Sequence, residues 1–250
     1  MKGLMKKPLF VLATGVILVA GSAIGVTQAT RAAETTSSQE QGVQFETAEF
    51  TVDLQEKQDG SFVTVAGTND KPGKLVFTSL DDVSKGKEEI KVNHNYPEEV
   101  RVVNNSDGEF PQYVRVTVTK CWIDENGKKD TGADPELITL NTESGWSMLQ
   151  TSAGNKESAV FYYTKPITKG QAVTLIDSVS LGEGVINAYS RTSEDGCVTI
   201  EGYEGKTFEV QVRVDAVQAH HAEEAMLGAW GVLAEFDASG NLISIDGENL

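Results

Sequence analysis

The stretch that most constrains the fold is Tyr113-Val-Arg-Val-Thr-Val-Thr-Lys-Cys-Trp122. Val114, Val116 and Val118 fall on one side of an extended chain, and Tyr113, Arg115, Thr117 and Thr119 on the other. Strict period-two alternation in β-branched residues is the pattern of a strand with one face in a core. On a helix the same valines would be scattered around the axis. A second stretch, residues 206–219, repeats the pattern with Phe208, Val210, Val212 and Val214. Each such side chain contributes roughly 1.5–3 kcal/mol when fully buried. Both strands are therefore expected near the centre of their sheets.

The rest of the chain is punctuated to match. Gln58-Asp59-Gly60, Asn69-Asp-Lys-Pro-Gly73, Asn126-Gly127 and Thr168-Lys-Gly170 are turn signals between short apolar runs. Residues 74–80 also read as a strand. Residues 222–230 (AEEAMLGAW) are the one convincing helix, rich in good helix formers. The expected fold class is all-β: an antiparallel β-sandwich or jelly roll with one short C-terminal helix. Residues 43–250 form a single domain on this reading, ending in a loose tail with one strand at 241–245.

Before that domain stand two segments of different character. Lys2, Lys6 and Lys7 precede an uncharged run at residues 9–26, and small residues follow around Ala29 and Ala32. This order is that of a secretory signal peptide over residues 1–32. Residues 33–42 are Ser/Thr/Gln/Glu-rich and read as a flexible leader. Cleavage removes Lys2, Lys6, Lys7 and Arg31 and no acid, so the net charge goes from −16 to −20. Such a polyanion does not bind nucleic acid or an anionic membrane through its net field. The expectation is an extracellular protein with no stable membrane anchor after cleavage. Its two cysteines, Cys121 and Cys197, are free to form a single disulfide in that compartment or to stay as thiols.

Five segments, in order, resemble the TasA/camelysin-like exported proteins, which depend on a SipW-type signal peptidase. They are the glycine-containing presequence, Phe45-Glu-Thr-Ala-Glu-Phe-Thr-Val-Asp-Leu54, and Val103-Asn-Asn-Ser-Asp-Gly108 followed by Pro111-Gln-Tyr-Val-Arg-Val116. The fourth is Phe161-Tyr-Tyr-Thr164 with Lys169-Gly170 and Thr174-Leu-Ile-Asp-Ser-Val179. The fifth is residues 208–218 leading to Ala229-Trp-Gly231. Two places depart from the family pattern: residues 27–34 lack its usual aromatic/Asp segment, and the long loop 182–205 has no counterpart. The resemblance implies a secreted jelly-roll subunit of a biofilm or other extracellular matrix. Its N-terminal strand adds to the sheet of the next subunit, or pairs within its own domain. The candidate assembly strand carries Phe45, Phe50, Val52 and Leu54. The partners implied are other copies of the chain or other matrix proteins.

Camelysin-like members are described as metallopeptidases, so the resemblance also implies an enzyme as the alternative. His220, His221 and Glu224 are the candidate metal ligands, with His94 as a third imidazole. His220 and Glu224 share a helical face, but the two-histidine zinc motif HExxH and the serine elbow GxSxG are both absent. No cofactor is the leading expectation. Zinc at the histidines, or calcium at Asp81-Asp82 or Asp124-Glu-Asn-Gly127, are the alternatives. A third reading is a glycan-binding module using Tyr162, Tyr163 and Tyr203, against which stands ordinary cross-strand packing of the same rings.

Overall fold

The computed structural model describes residues 51–68, 71–80, 87–150, 154–192 and 198–250. In chain order the strands are β1 (Val52–Gln58), β2 (Ser61–Gly67), β3 (Gly73–Lys74), β4 (Tyr96–Asn104), β5 (Gln112–Ile123) and β6 (Lys129–Asp130). They continue with β7 (Ile138–Thr142), β8 (Trp146–Gln150), β9 (Ser158–Tyr163), β10 (Ala172–Leu181), β11 (Tyr189–Thr192), β12 (Val198–Glu201) and β13 (Thr207–Gln218). The helix α1 (Ala222–Trp230) follows, then β14 (Ala234–Phe236), β15 (Leu242–Ile245) and β16 (Glu248–Asn249).

One sheet has the order β2-β1-β4-β10-β7 and the other β3-β13-β5-β9-β8, with β6 also paired to β5. Every pairing between these strands is antiparallel. The sheets face each other across one apolar core. Val52, Leu54, Val100, Val102 and Ile176 come from the first sheet, and Val114, Val116, Val210, Val212 and Val214 from the second. The described residues therefore form the all-β sandwich that the alternation implies, with one α-helix among them.

The two long strands are direct neighbours. Val118 lies opposite Val212 and Val116 opposite Val214, which makes one continuous valine surface. β5 is the middle strand of its sheet, whereas β13 is met on its outer side by the short β3, at Gln211 and Val212, and by the Leu75 N–H, which donates to the Val210 carbonyl. That cover is tight. A Cβ on Gly73 would stand 2.0 Å from the Val65 carbonyl oxygen, so only glycine lets the chain cross from the first sheet to the second here.

Two expectations are corrected. Residues 74–80 are not a strand: β3 stops at Lys74 and a 3-10 turn occupies Thr78–Leu80. The cause is a carboxylate. Glu56 Oε1 accepts from the backbone N–H of Val76 (2.7 Å) and Phe77 (3.1 Å), and Phe77 takes a left-handed φ of 54°. Those N–H groups are then lost to any ladder. The C-terminal segment is not a loose tail either. β14, β15 and β16 form a three-stranded sheet, and Leu242 and Ile245 are buried with Tyr113, Tyr162, Val217, Ala225 and Met226 in a second apolar cluster. Alternation places Tyr113 and Val217 away from the valine core. What covers that outer face is set by contacts far along the chain.

Candidate functional site

The start of β1 is anchored by a buried polar network built from the turn that precedes β5. Asn104, Ser106 and Gln112 are all fully buried. Asn104 Nδ2 donates to the Ile167 carbonyl (3.0 Å), and the Ser106 N–H donates to Asn104 Oδ1 (3.1 Å). Ser106 Oγ in turn accepts from the Thr51 N–H (3.0 Å), while the Asn105 N–H donates to the Thr51 carbonyl (3.0 Å). The Asn-Asn-Ser turn thus fixes Thr51, the residue that precedes β1.

The sandwich also ends, in both sheets, on strands that follow each other in sequence, β7 and β8. Among the described residues β7 pairs only with β10 and β8 only with β9. Neither Ile-Thr-Leu-Asn-Thr nor Trp-Ser-Met-Leu-Gln carries a charge. Met148 stands 55% exposed on β8. An uncharged edge with one unmatched row of backbone donors and acceptors is a template for a further strand.

The expected assembly residues divide. Val52 and Leu54 are fully buried in β1, with Leu54 paired to Ala66 on one side and Val102 on the other. That part of the strand belongs to the chain's own sheet. Phe45 and Phe50 lie outside the described residues. Cys121 sits half-buried on the face of β5 away from the valines, and burial pushes its thiol pKa up. Cys197 lies outside the described residues, as do Asp81 and Asp82.

The histidines cap α1. His221, at φ 52°, is the N-cap, and its ring meets that of His220 edge-on at 4.1 Å. His221 Nδ1 is 3.9 Å from Glu224 Oε2, both side chains largely exposed. His94 packs edge-on against Tyr96 instead. Among the described residues no three His, Cys, Asp or Glu side chains converge as a metal-binding group, so the structure does not bring His220, His221 and Glu224 together as one. In the Asp124-Glu-Asn-Gly127 turn, Asp124 Oδ1 accepts from the N–H groups of Asn126 and Lys128 (2.9 and 2.8 Å), which is turn chemistry. The tyrosines pack rather than project. Tyr162 is buried against Trp230, and the half-buried rings of Tyr163 and Tyr203 pack on Trp146 and Trp122.

Two buried ionisable clusters stand apart from these. In the first, Glu56 and Glu98 are both buried on the core side of the first sheet. Glu56 lies opposite Val100, so Glu98 is its diagonal neighbour. Burial, then the charge and hydrogen bond of Glu56, push the Glu98 carboxyl up to about 8. Its Oε1 has no hydrogen-bond partner among the described residues. In the second cluster, Lys206 Nζ is 2.8 Å from Asp130 Oδ2 and 3.1 Å from Glu201 Oε2. The Asp130 side chain is fully buried and that of Lys206 is 8% exposed. Tyr189 Oη donates to Asp130 Oδ2, and the Gly132 N–H donates to Asp130 Oδ1 (2.9 Å).

No family model, curated protein or solved structure matches the chain.

The sequence reading passed over Glu56 and Glu98, although a signal was there: Glu56 continues the inward parity of Val52 and Leu54, and Glu98 continues that of Val100 and Val102. An acid on a core-facing position is a signal in its own right. Asp130, Tyr189, Glu201 and Lys206 follow no shared pattern, because four separate segments bring them together.

Proposed function

We propose that this chain is an exported structural subunit, similar to the TasA-like matrix proteins, that assembles by strand addition. The leader of one copy, residues 33–50, adds to the β7–β8 side of the next. The observation that supports this most directly is the pair of consecutive uncharged edges, Ile138–Thr142 and Trp146–Gln150, together with the anchoring of the leader's exit at Thr51. Retention of β1 in its own sheet keeps each subunit folded while the leader is exchanged. A donor strand supplies main-chain hydrogen bonds, and alternate side chains supply specificity. Self-repulsion at the chain's high negative charge opposes non-specific association.

Two measurements test the reading: the N-terminal sequence of the secreted protein, and its size distribution against concentration at acid and neutral pH. Concentration-dependent oligomers or filaments are expected. Deleting residues 33–50, or placing charge on the edges with Thr139→Lys and Met148→Lys, leaves a folded monomer. A wild-type protein that stays monomeric by light scattering and shows no filaments in electron microscopy overturns the proposal. So does assembly unaffected by the edge variants.

A further inference from the structure

The long loop 182–205 is the segment that sets this chain apart from the family pattern, and the described part of it is built around a buried reactive pair. β11 and β12 form a hairpin in which Tyr189 lies directly opposite Glu201. Its open end delivers both side chains to the Asp130–Lys206 contact. Asp130 is on β6 and Lys206 immediately precedes β13; these two strands flank the end of β5, where Trp122 pairs with both Asp130 and Phe208. Beside the pair, Tyr203 packs edge-on against Trp122 and tilted against Tyr189, whose ring lies under Lys206 Nζ.

We propose that Lys206 and Asp130 condense into an intramolecular isopeptide bond, with Glu201 as the proton-transfer catalyst. The amine and the carboxyl are held within hydrogen-bond distance by a folded scaffold, so the reaction is unimolecular and the geometry is supplied before the chemistry. Glu201 Oε2, 3.1 Å from Nζ, takes one ammonium proton, which frees the lone pair, and passes it through the Tyr189 hydroxyl to Asp130 Oδ2, so that a neutral amine faces a neutral carboxyl. Nζ attacks Cγ of Asp130. The negative charge that develops on Oδ1 faces the Gly132 N–H at 2.9 Å, a donor already in place. Oδ2, which already carries that proton, takes a second from Nζ by the same relay and leaves as water. The Nζ–Cγ bond forms and the Cγ–Oδ2 bond breaks. One ammonium and one carboxylate become one amide and one water, and Glu201 and Tyr189 return unchanged. No oxidant or other reagent is consumed.

The resting state is the ion pair. Burial pushes Asp130 up, but hydrogen bonds from Lys206, Tyr189 and Gly132 outweigh it and hold the carboxyl at about 2. Burial lowers Lys206, and the bonds to Asp130, Tyr189 and Glu201 lift it above the ordinary lysine range. The reaction therefore runs through a minor neutral pair and is slow. Its driving force is the removal of two charges from a buried site, where each carries a desolvation penalty. Water escapes through the groove lined by Asp124, Asn126, Glu201, Gly202 and Glu204. The product ties β6 to β13 across the end of β5 and closes residues 130–206 into a covalent loop.

Intact-mass spectrometry of the purified, folded full-length chain, followed over days at neutral pH, tests this. The expected result is a species lighter by one water, with a branched peptide joining Lys206 to Asp130 after proteolysis. Lys206→Arg and Asp130→Ala abolish the loss. Glu201→Gln, which leaves both reacting groups and the ion pair in place, slows it by about 10²-fold. Persistence of the full mass in wild type overturns the proposal. A water loss that maps to the Asp195-Gly196 succinimide site, or one equally fast in Glu201→Gln, overturns it too.

Discussion

The two buried ionisable clusters start from similar burial and end in opposite states. At Glu56 and Glu98, two acids share a core-facing surface, so one of them must keep its proton; Glu98 does, up to about pH 8. At Asp130 and Lys206 the charges are opposite, and each holds the other ionised against its own desolvation. Burial alone does not decide what a polar group does in this sandwich. The sign of its neighbour does, and the N–H donors around it set the rest.

The sharpest way to break the comparison is to remove one member of the opposite-charge pair. Lys206→Met leaves Asp130 buried without its cation and is expected to cost about 3–5 kcal/mol in urea denaturation. Asp130→Leu combined with Lys206→Met recovers most of that loss, because no uncompensated charge remains. The like-charge pair should respond with the opposite sign. Glu98 has a raised folded-state pKa, so the folded protein binds the proton more tightly than the unfolded chain does. The resulting stability is fully present below about pH 4.5 and is lost as pH rises towards about 8. Glu98→Gln keeps a donor towards Glu56 and removes the titration. It should therefore be more stable than wild type by about 3 kcal/mol at pH 7, with a flatter alkaline profile.

A smaller effect lies on the acid side. Asp130 is depressed to about 2 from 3.8, so its contribution is present above pH 4 and lost as pH falls through about 2. The loss amounts to about 2 kcal/mol in acid denaturation, and Asp130→Asn should remove this arm. The smallest effect is expected at the surface. Lys57 and Glu99 form a 2.8 Å ion pair with both side chains more than a third exposed. Lys57→Met should change stability by less than about 1 kcal/mol, and less still at high salt. A large loss there would show that sign and burial are not the deciding variables.

How much was legible in the sequence follows the same division between local and distant causes. Strand β5 and the valine face of β13 were readable because alternation is local and each inward valine is buried. The helix was readable from its composition, and its end from Gly231, whose φ of 71° closes the last turn onto the Leu227 carbonyl. The strand expected at residues 74–80 failed because Glu56, some twenty residues earlier, captures the Val76 and Phe77 N–H groups. The loose tail failed because the outer face of a sheet gives no local sign of what covers it. Of the candidate sites, His220, His221 and Glu224 share a helix start but do not converge as a metal-binding group among the described residues. The assembly strand is half absorbed into its own domain at Val52 and Leu54.

The sequence by itself determined the secondary-structure period and the sandwich class, because each depends on spacing along single strands. Only the tertiary structure decided which charges meet. Asp130, Tyr189, Glu201 and Lys206 sit on separate strands and connections, and the core-facing acids become a pair only through the β1–β4 register. Charges interact through space at a few ångströms, and a chain brings distant residues to that separation only after its apolar faces have chosen their partners.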